Sequence, residues 1–378
     1  QVINMNMNTV VMKTNNILFT AEPLFLHRHK PLITSLSTYC DFSTLPIGGV
    51  YEQPSINKMM KSFYCFRHKV KPNYADGFFK NAKAFIQRSQ QLERKIKSLD
   101  YKPDLVFHFF SLCCPSWNLN IPYVMYLDYT MSLANRYYPT WVPFKNSQDL
   151  DSWLKCEHLA YERAKHVFTM SSVVKNSLIQ DYNINPEKVT VIGASGNFEE
   201  PYSGDKILGT QQILFNGSDF ERKGGKLVLS AFQKIKKTIP GAKLVIIGKK
   251  LDISIDGVEN PGAITSPSEL ENIFLQTDLV LAPASCEPFG VFIVEAMNYG
   301  VPCIVTANDG NGITDFLDHE IDSIITRNPT PELLAMHTIN LLKNHSLLAS
   351  MSESARIKVK NQLNWNSIAK QVVNVIGY

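Results

Sequence analysis

The sequence predicts an α/β protein whose strands form doubly wound parallel sheets in two domains. Short apolar runs of strand length alternate with segments of helical spacing, a pattern typical of parallel sheets covered by helices. The 378 residues, 44% of them hydrophobic, are enough for two domains with substantial cores. A stretch rich in glycine and serine, 193–205, interrupts the periodicity as a linker does. We predict an N-terminal domain at 1–195, a linker at 196–208, a C-terminal domain at 209–360 and a final helix at 361–378.

The first predicted domain contains six strand patterns. They lie at 16–20, 42–45, 102–110, 121–128, 166–170 and 189–192. Helical spacing occurs at 31–40, 153–165 and 173–182. The first sixteen residues are rich in asparagine and methionine but lack the ordered parts of a signal peptide, so we interpret them as a tail.

The second predicted domain repeats this alternation. Its strand patterns lie at 212–217, 243–248, 279–281 and 303–305. Its helical patterns lie at 226–238, 266–275, 291–299, 331–344, 350–361 and 365–376.

Composition sets broad limits on partners and compartment. The net charge of +4 is modest and does not require a nucleic-acid partner. The seven cysteines show no metal-ligand spacing, so we expect reduced thiols and a cytoplasmic protein. No run of about 18 apolar residues occurs, and we therefore expect no membrane-spanning helix.

Positive charge is concentrated between Lys58 and Lys97. Eleven lysine and arginine residues stand there against two acidic ones, a net charge of +9, and aromatic residues are interleaved with them. This composition favours docking on an anionic membrane surface. The alternative is an ordinary helix at 76–97 whose apolar side packs on the sheet. A nucleic-acid-binding role is a further alternative, although no nucleic-acid motif supports it and we consider that partner unlikely.

The stretch Asp278–Thr306 organises the second domain. A buried-strand pattern leads into a loop with Glu287, and a helix begins after Gly290. Ligands of parallel sheets bind beyond the carboxyl ends of the strands, and a helix N-terminus attracts phosphate. We predict that Glu287 bonds hydroxyls of a transferred sugar, that the helix start holds a diphosphate, and that Glu295 binds ribose hydroxyls. The helix start comprises Phe289, Gly290 and Val291.

The run Glu287-Pro-Phe-Gly-Val-Phe-Ile-Val-Glu295 and its flanking residues resemble the donor-site signature of retaining GT-B glycosyltransferases, in the large family 4 (glycosyl transferases group 1). The resemblance implies two Rossmann-like doubly wound domains facing a cleft. It places the donor in the second domain and the acceptor in the first, with the final helix returning to the first. The alternative is an ordinary strand–helix pair with two solvated glutamates.

A second anion-binding pattern follows strand 212–217. Arg222 and Lys223 precede two glycines at a predicted helix start. In the family that the chain resembles, this loop holds an arginine just after the first glycine, here Gly217, and a lysine some five residues later. Lys223 matches the lysine, whereas Ser218 occupies the arginine position. We expect Lys223 to bind the diphosphate with Arg222 as the second charge; a solvated Arg–Lys pair is the alternative.

On the acceptor side, Asp128 ends a predicted strand, where a crevice residue is expected. Many relatives have a histidine near this point that faces the sugar. Asp128 is a candidate to bond a sugar hydroxyl, to orient the acceptor or to take up its proton. The alternative is that it caps the next turn together with Thr130.

The segment after the first strand lacks the glycine-rich loop usual in relatives. Its polar residues are either acceptor contacts or part of an ordinary surface loop. They are Glu22, His27, Arg28 and His29. We interpret His108, on a later strand, as a packed core histidine.

Together with the resemblance, which implies that the transfer is retaining, these patterns predict a metal-independent glycosyltransferase that moves a hexose from a nucleotide-diphosphate sugar to a hydroxyl acceptor. Asp128, Lys223 and Glu287 are its candidate catalytic residues. We expect no bound cofactor and no metal, since the nucleotide sugar is a co-substrate and the protein supplies fixed positive groups. UDP-glucose is the donor expected on base rates. A nucleotide-sugar epimerase of the same fold and a DNA-glycosylating protein that uses the basic segment are the alternatives.

Overall fold

The computed structural model describes residues 16–51, 53–69, 77–141 and 144–377. They form two six-stranded parallel sheets with helices packed on them. Residues 1–15 of the predicted tail lie outside the described residues, as do Lys71 and Asp76 of the basic segment, whereas its last residue, Asn16, begins the first strand.

The first sheet has the strand order β2-β1-β3-β4-β5-β6. Its strands are β1 Asn16–Ala21, β2 Asp41–Pro46, β3 Leu105–Phe109, β4 Tyr123–Leu127, β5 His166–Thr169 and β6 Val189–Val191. The helices along this part of the chain are α1 Pro23–Arg28, α2 Lys30–Leu36, α3 Pro54–His68, α4 Ala82–Lys97, α5 Met131–Tyr137, α6 Ser147–Arg163 and α7 Ser172–Gln180. β3 and β4 are buried along their whole length, which explains why they read as continuous apolar runs.

The second sheet has the order β12-β11-β10-β7-β8-β9. Its strands are β7 Gln212–Asn216, β8 Lys243–Ile247, β9 Val258–Gly262, β10 Leu279–Ala282, β11 Cys303–Thr306 and β12 Ser323–Thr326. The helices are α8 Gly225–Thr238, α9 Pro267–Gln276, α10 Val291–Asn298, α11 Pro331–Lys343, α12 His345–Asn361 and α13 Trp365–Ile376. The order reverses between β7 and β10, and a sheet of this kind binds ligands at that point.

The prediction of two doubly wound parallel sheets is confirmed. Five elements were missed. α1 occupies part of the segment predicted as a loop, because Pro23 stands at a favourable first helical position. α3 begins in the same way at Pro54. α5 and β12 are short, and β9 contains proline and glycine that mask a strand at a sheet edge.

The chain divides into two compact units. One consists of the chain up to Tyr126, Phe144–Val167 and the residues after Ile368; the other consists of the segment that begins at Leu127 and of Phe168–Ile368. The core of the second unit lies between its sheet and α8 and α11, around Phe215 and Phe232. The predicted boundaries at 195, 208 and 360 stay a prediction.

The two helices of the basic segment differ in burial. α4 packs its apolar side inward, with Phe85, Leu92 and Ile96 at 3% exposure or less, as the alternative interpretation of 76–97 required. α3 buries no residue completely, and Met59, Phe63 and Phe66 are 62%, 50% and 84% exposed. These three residues recur at helical spacing and therefore form one apolar stripe on α3. No helix among the described residues is long and apolar enough to span a bilayer.

Candidate functional site

The candidate site lies at the carboxyl edge of the second sheet, where the strand order reverses. β7 and β10 are paired there although β8 and β9 separate them in the chain. The loop 217–224 follows β7 and the loop 283–290 follows β10. Chain segments that leave two such strands diverge, and this opens a crevice for a ligand.

The two loops are held together by their backbones. Gly224, with φ of +81°, precedes α8, and a Cβ atom on it would lie 2.5 Å from the carbonyl oxygen of Pro283. The amide of Ser285 donates to the carbonyl oxygen of Arg222 at 2.9 Å, and the Ser285 hydroxyl donates to the same oxygen at 3.1 Å. The side chains on both loops are therefore presented from a fixed frame.

Two cations meet one carboxylate in this frame. The Nζ atom of Lys223 lies 2.7 Å from Oε2 of Glu287, and Nη1 of Arg222 lies 3.2 Å from the same oxygen. The side chains of Lys223, Glu287 and Arg222 are 14%, 18% and 8% exposed. The structure thus brings together the lysine and the glutamate that the sequence assigned to one ligand.

Arg222 is the most enclosed of the three. Its Nε donates to Oδ2 of Asp219 at 2.8 Å, and Nη1 also donates to the carbonyl oxygen of Cys286. The guanidinium lies over the rings of Trp141 and Tyr138, 5.1 and 5.8 Å from their centroids. Burial alone would lower the pKa of Arg222, but the carboxylates of Glu287 and Asp219 raise it. Arg222 is therefore a fixed, fully charged group.

Glu287 is also fixed through its main chain. Its amide donates to the carbonyl oxygen of Gly310 at 3.3 Å, and its own carbonyl oxygen accepts the amide of Gly312 at 3.1 Å. The buried Asn311 between them donates through Nδ2 to the carbonyl oxygens of Ala284 and Thr306. This short parallel bridge sets the direction of the Glu287 side chain.

The start of α10, Val291, lies four residues after Glu287. Gly290 precedes the helix with φ of +101°, and the first helical hydrogen bond runs from the Ile293 amide to the Gly290 carbonyl at 2.8 Å. The amide of Val291 precedes that bond, so the helix itself leaves it a free donor. Phe289 is buried at 2% exposure and packs edge-on against Phe316. A ligand would therefore meet the backbone of this turn rather than the ring of Phe289.

Glu295 lies further along α10. Its Oε1 accepts the backbone amide of Asn197 at 3.1 Å and the side-chain amide at 2.6 Å. Burial raises the pKa of Glu295 although these two hydrogen bonds oppose the shift. Asn197 belongs to the segment predicted as a linker, so Glu295 ties this segment to α10.

Gly217 and Ser218 begin the first loop. The Gly217 amide donates to the Ile247 carbonyl at 2.7 Å, and a Cβ atom on Gly217 would lie 2.9 Å from the side chain of Ile246. Ser218 is exposed, and its amide donates to Oδ1 of Asn216 at 3.1 Å. Gly217 thus allows the close turn after β7, and Ser218 faces solvent.

Asp128 directly follows β4 and is half-buried. The hydroxyl of the next residue, Tyr129, lies 3.4 Å from Sγ of Cys286 and donates to the Gly310 carbonyl at 3.3 Å. Cys286 directly precedes Glu287, and Gly310 directly precedes Asn311, the bridge partner of Glu287. Tyr129 and both of these residues belong to the second unit. Thr130 caps α5 with its own hydroxyl, which accepts the Leu133 amide at 3.2 Å. Asp128 is therefore the chain neighbour of a residue, Tyr129, that contacts the Glu287 loop.

Two histidines of the first unit, His108 and His29, are buried. His108 is fully buried beside Oγ1 of Thr20 at 2.7 Å, and burial lowers its pKa to about 3, which confirms its interpretation as a core residue. His29 is 6% exposed and bonded to the Phe25 carbonyl, and burial lowers its pKa to about 4. His27 and Arg28 are exposed on α1.

Sequence reasoning missed several residues of the site. Asp219 stands three residues before Arg222, a spacing that pairs charges on helical turns, so this signal was present. The other partners come from distant parts of the chain and carry no sequence signal. They are Tyr129, Tyr138, Trp141 and Asn311. The contact of Arg222 with the main chain of Cys286, the neighbour of Glu287, was also missed.

Two family models match the chain. Residues 198–358 match the model described as Glycosyl transferases group 1, and residues 59–194 match the model described as Glycosyltransferase Family 4. The chain belongs to the group 1 GT-B glycosyltransferases. The first matched region contains every donor-site candidate of this family member, from Gly217 to Glu295.

Known relatives and structures agree with this family. An uncharacterized glycosyltransferase of Methanocaldococcus jannaschii is 27% identical over 58% of this chain and 61% of its own length. Two further curated relatives are matched over about half of their length, 49% and 51%. Among solved structures, a sucrose-phosphate synthase from Thermosynechococcus elongatus has a TM-score of 0.68 at 14% identity, over 96% of this chain and 98% of its own. The Anabaena protein HepE, in complex with UDP and glucose, has a TM-score of 0.62 at 15% identity, over 96% and 100%. These structures confirm the GT-B fold.

Proposed function

We propose that the protein is a retaining glycosyltransferase that moves a hexose from a nucleotide-diphosphate sugar, UDP-glucose, to a hydroxyl acceptor. One observation carries the proposal: Lys223 and Arg222 converge on Glu287 at the switch point of the second sheet, with the start of α10 four residues further on. Cations, helix amides and a carboxylate are the groups that a sugar diphosphate needs. The HepE structure with UDP and glucose supports a uridine donor for a protein of this fold.

In this proposal, binding of the donor replaces contacts within the protein by contacts with the donor. Its diphosphate takes over Lys223 from Glu287, and Glu287 then accepts hydrogen bonds from the sugar hydroxyls. Arg222, which Asp219 and two aromatic rings hold, keeps Glu287 in position. Glu295 binds the ribose hydroxyls in place of Asn197.

The chemical step breaks the bond between the anomeric carbon and the diphosphate oxygen. Negative charge develops on the leaving diphosphate, where Lys223 and the Val291 amide stabilise it without a metal. The acceptor oxygen forms its bond on the same face, and the acceptor proton passes to the departing phosphate. Asp128 orients the acceptor hydroxyl, so that positioning rather than a strong base lowers the barrier.

The test begins with ligand binding. A nucleotide sugar that binds only the folded protein raises its melting temperature, and UDP-glucose should do so more than GDP-mannose or ADP-glucose. Lys223→Ala should remove the shift, whereas Lys226→Ala, on an exposed lysine of the same helix start, should keep it. A panel of nucleotide sugars that leaves the melting temperatures of the wild type and of Lys226→Ala unchanged would refute the proposal.

Product analysis then separates transfer from epimerisation. NMR of the product should show the anomeric configuration of the donor retained in the new glycoside. Incubation with donor alone should leave the sugar ring unchanged. Inversion at a ring carbon without acceptor would instead favour a nucleotide-sugar epimerase.

We also propose that the protein works in the cytoplasm, docked on an anionic membrane through α3. The exposed stripe of Met59, Phe63 and Phe66 lies on a helix that also carries Lys58, Lys61 and Arg67. Apolar residues beside basic ones fit a bilayer with anionic headgroups. All seven cysteines are free thiols, in keeping with a reducing compartment.

Vesicle co-sedimentation tests the membrane proposal. The protein should sediment with phosphatidylglycerol-containing vesicles and not with pure phosphatidylcholine ones. Met59→Ser combined with Phe66→Ser, two stripe residues that do not line the neighbouring cavity, should abolish sedimentation. Met336→Ser combined with Ile357→Ser, two exposed apolar residues of the second unit, should have no effect. Equal sedimentation of both double variants would exclude α3 as the docking surface.

A further inference from the structure

The first unit contains a cavity that the donor chemistry does not use. Its volume is about 720 Å³, and it lies between α3, the start of α4 and the start of α6. Among its lining residues are Tyr51, Tyr64, Phe78, Arg67, Lys83 and Lys145. α6 leads directly into β5, and a helix that precedes a parallel strand begins at the strand's carboxyl edge. The cavity therefore lies at the edge of the first sheet where ligands of such sheets bind.

One wall of the cavity is aromatic. The rings of Tyr51 and Phe78 are stacked with centroids 6.2 Å apart, and Tyr64 meets Phe78 edge-on at 5.8 Å. Met60 packs against the same small cluster. Tyr51, Tyr64 and Met60 remain partly accessible, so an apolar ligand group can cover them.

The remaining wall is positively charged. Arg67, Lys83 and Lys145 line the cavity, and Asp149 is the one acidic lining residue among the described ones. Within the described part of the chain, no carboxylate lies within salt-bridge distance of these three cations. Nζ of Lys145 donates to Nδ1 of His68 at 2.9 Å, and partial burial together with the charges of Lys145 and Arg67 lowers the pKa of that histidine. Unlike Lys223, these cations have no acidic partner among the described residues.

The chain also starts two helices at this cavity. Asn81 caps α4 and Asn146 caps α6, and each side chain accepts one first-turn amide. The positive ends of both helix dipoles add to the field of the three cations. An anion in the cavity would thus be attracted by the cations and by both helix starts, while its apolar part would lie on the aromatic wall.

We propose that this cavity is the acceptor pocket and that the acceptor is an anionic amphiphile, a molecule with a phosphate group attached to an apolar body. The inference rests on the proposed glycosyl transfer and adds the class of substrate. The aromatic wall holds the apolar body, and Arg67, Lys83 and Lys145 hold the phosphate.

Isothermal titration calorimetry with short-chain lipids below their micelle concentration tests the pocket. Dihexanoyl phosphatidylglycerol should bind roughly tenfold more tightly than dihexanoyl phosphatidylcholine, which has the same chains without net charge. It should also bind more tightly than inorganic phosphate, which has the charge without the chains. Equal affinity for phosphatidylcholine, or for inorganic phosphate, would overturn the proposal.

Matched double variants locate the binding. Lys83→Ala with Lys145→Ala removes two exposed lysines of the cavity and should weaken phosphatidylglycerol binding about tenfold. Lys97→Ala with Lys155→Ala removes the same charge from exposed positions of α4 and α6 outside the cavity and should leave the affinity unchanged. The same loss in both double variants would show non-specific attraction and overturn the proposal.

The two proposals fail in different ways. In the Lys223→Ala background the lipid probe should still bind, because the cavity does not involve the donor loop. If the lipid probe binds but no nucleotide sugar does, the cavity is a lipid site and the transferase proposal is rejected. Binding of UDP-glucose without the probe would reject the cavity and keep the transferase.

Discussion

The donor loops of the second unit and the cavity of the first unit both concentrate positive charge, but they hold it differently. Lys223 and Arg222 are 14% and 8% exposed and are already bound to Glu287. Lys83 and Lys145 are exposed and have no carboxylate partner among the described residues. A buried, paired charge binds a ligand by exchanging its protein partner for the ligand in a fixed geometry. An exposed charge attracts a ligand through an electric field that water and salt weaken. Substitutions should therefore cost far more in the donor loops than in the cavity.

The largest effect is expected at Lys223. Lys223→Ala removes the cation that stabilises the leaving diphosphate and leaves Glu287 with Arg222 alone. We expect kcat/KM to fall about 10²–10³-fold, the size of the loss when one oxyanion donor is removed. Steady-state kinetics with UDP-glucose measures it.

Lys226→Ala is the matched control for that loss. Lys226 lies three residues further on, with its side chain 77% exposed and paired with the exposed Glu221. Its replacement should change kcat/KM by less than about twofold, since exposed pairs contribute little. Similar losses in both variants would show that general charge, rather than the paired geometry, governs the donor loops.

The second effect concerns Arg222. Arg222→Lys keeps the charge but cannot bond Asp219, Cys286 and Glu287 together while lying over two rings. We expect a loss of about 1–3 kcal/mol in the free energy of unfolding, because buried acceptors lose their partner, and a lower kcat as Glu287 loses its support. Urea unfolding and kinetics measure the two quantities.

Arg136→Lys provides the comparison for Arg222. Arg136 also bonds an aspartate, Asp181, at 2.8 Å, but its side chain is 49% exposed. The same substitution there should cost at most about 1 kcal/mol. If Arg136→Lys lowered the free energy of unfolding as much as Arg222→Lys does, burial would not be the reason for the loss at Arg222.

The sequence was informative where local chemistry decides the structure and silent where distant segments meet. The pattern around Glu287 and Lys223 predicted two loops at strand ends, and the structure joins them at the switch point. Trp141 and Tyr138 could not be assigned to Arg222, because a contact across some 80 residues depends on tertiary packing and leaves no periodicity. The basic segment shows the same limit. Its charge was visible, but only the structure separates α4, which packs inward, from α3, which exposes its stripe.

The salt dependence of ligand affinity should also differ between the two regions, by a smaller factor than the effects of the substitutions. Raising sodium chloride from about 50 mM to about 500 mM shortens the range of exposed charges from beyond 10 Å to a few ångströms. We expect dihexanoyl phosphatidylglycerol to lose roughly tenfold in affinity, and UDP to lose less, because the donor cations are shielded from solvent. Calorimetric titrations at both salt concentrations compare the two slopes. Equal slopes would mean that the donor loops are as open to ions as the cavity.

The smallest effect is the pH dependence of the cavity, through His68. Partial burial and the neighbouring charges of Lys145 and Arg67 lower the pKa of His68, and Asp149 opposes them, so His68 is neutral at neutral pH. A bound phosphate favours the protonated form and raises this pKa. The affinity for phosphatidylglycerol, whose diester charge is constant, should therefore rise a few-fold as the pH falls from about 7.5 to about 5.5. His68→Gln should give a flat profile over that range, because it removes the one histidine among the described lining residues. An unchanged slope in His68→Gln would assign the proton to a group outside the cavity.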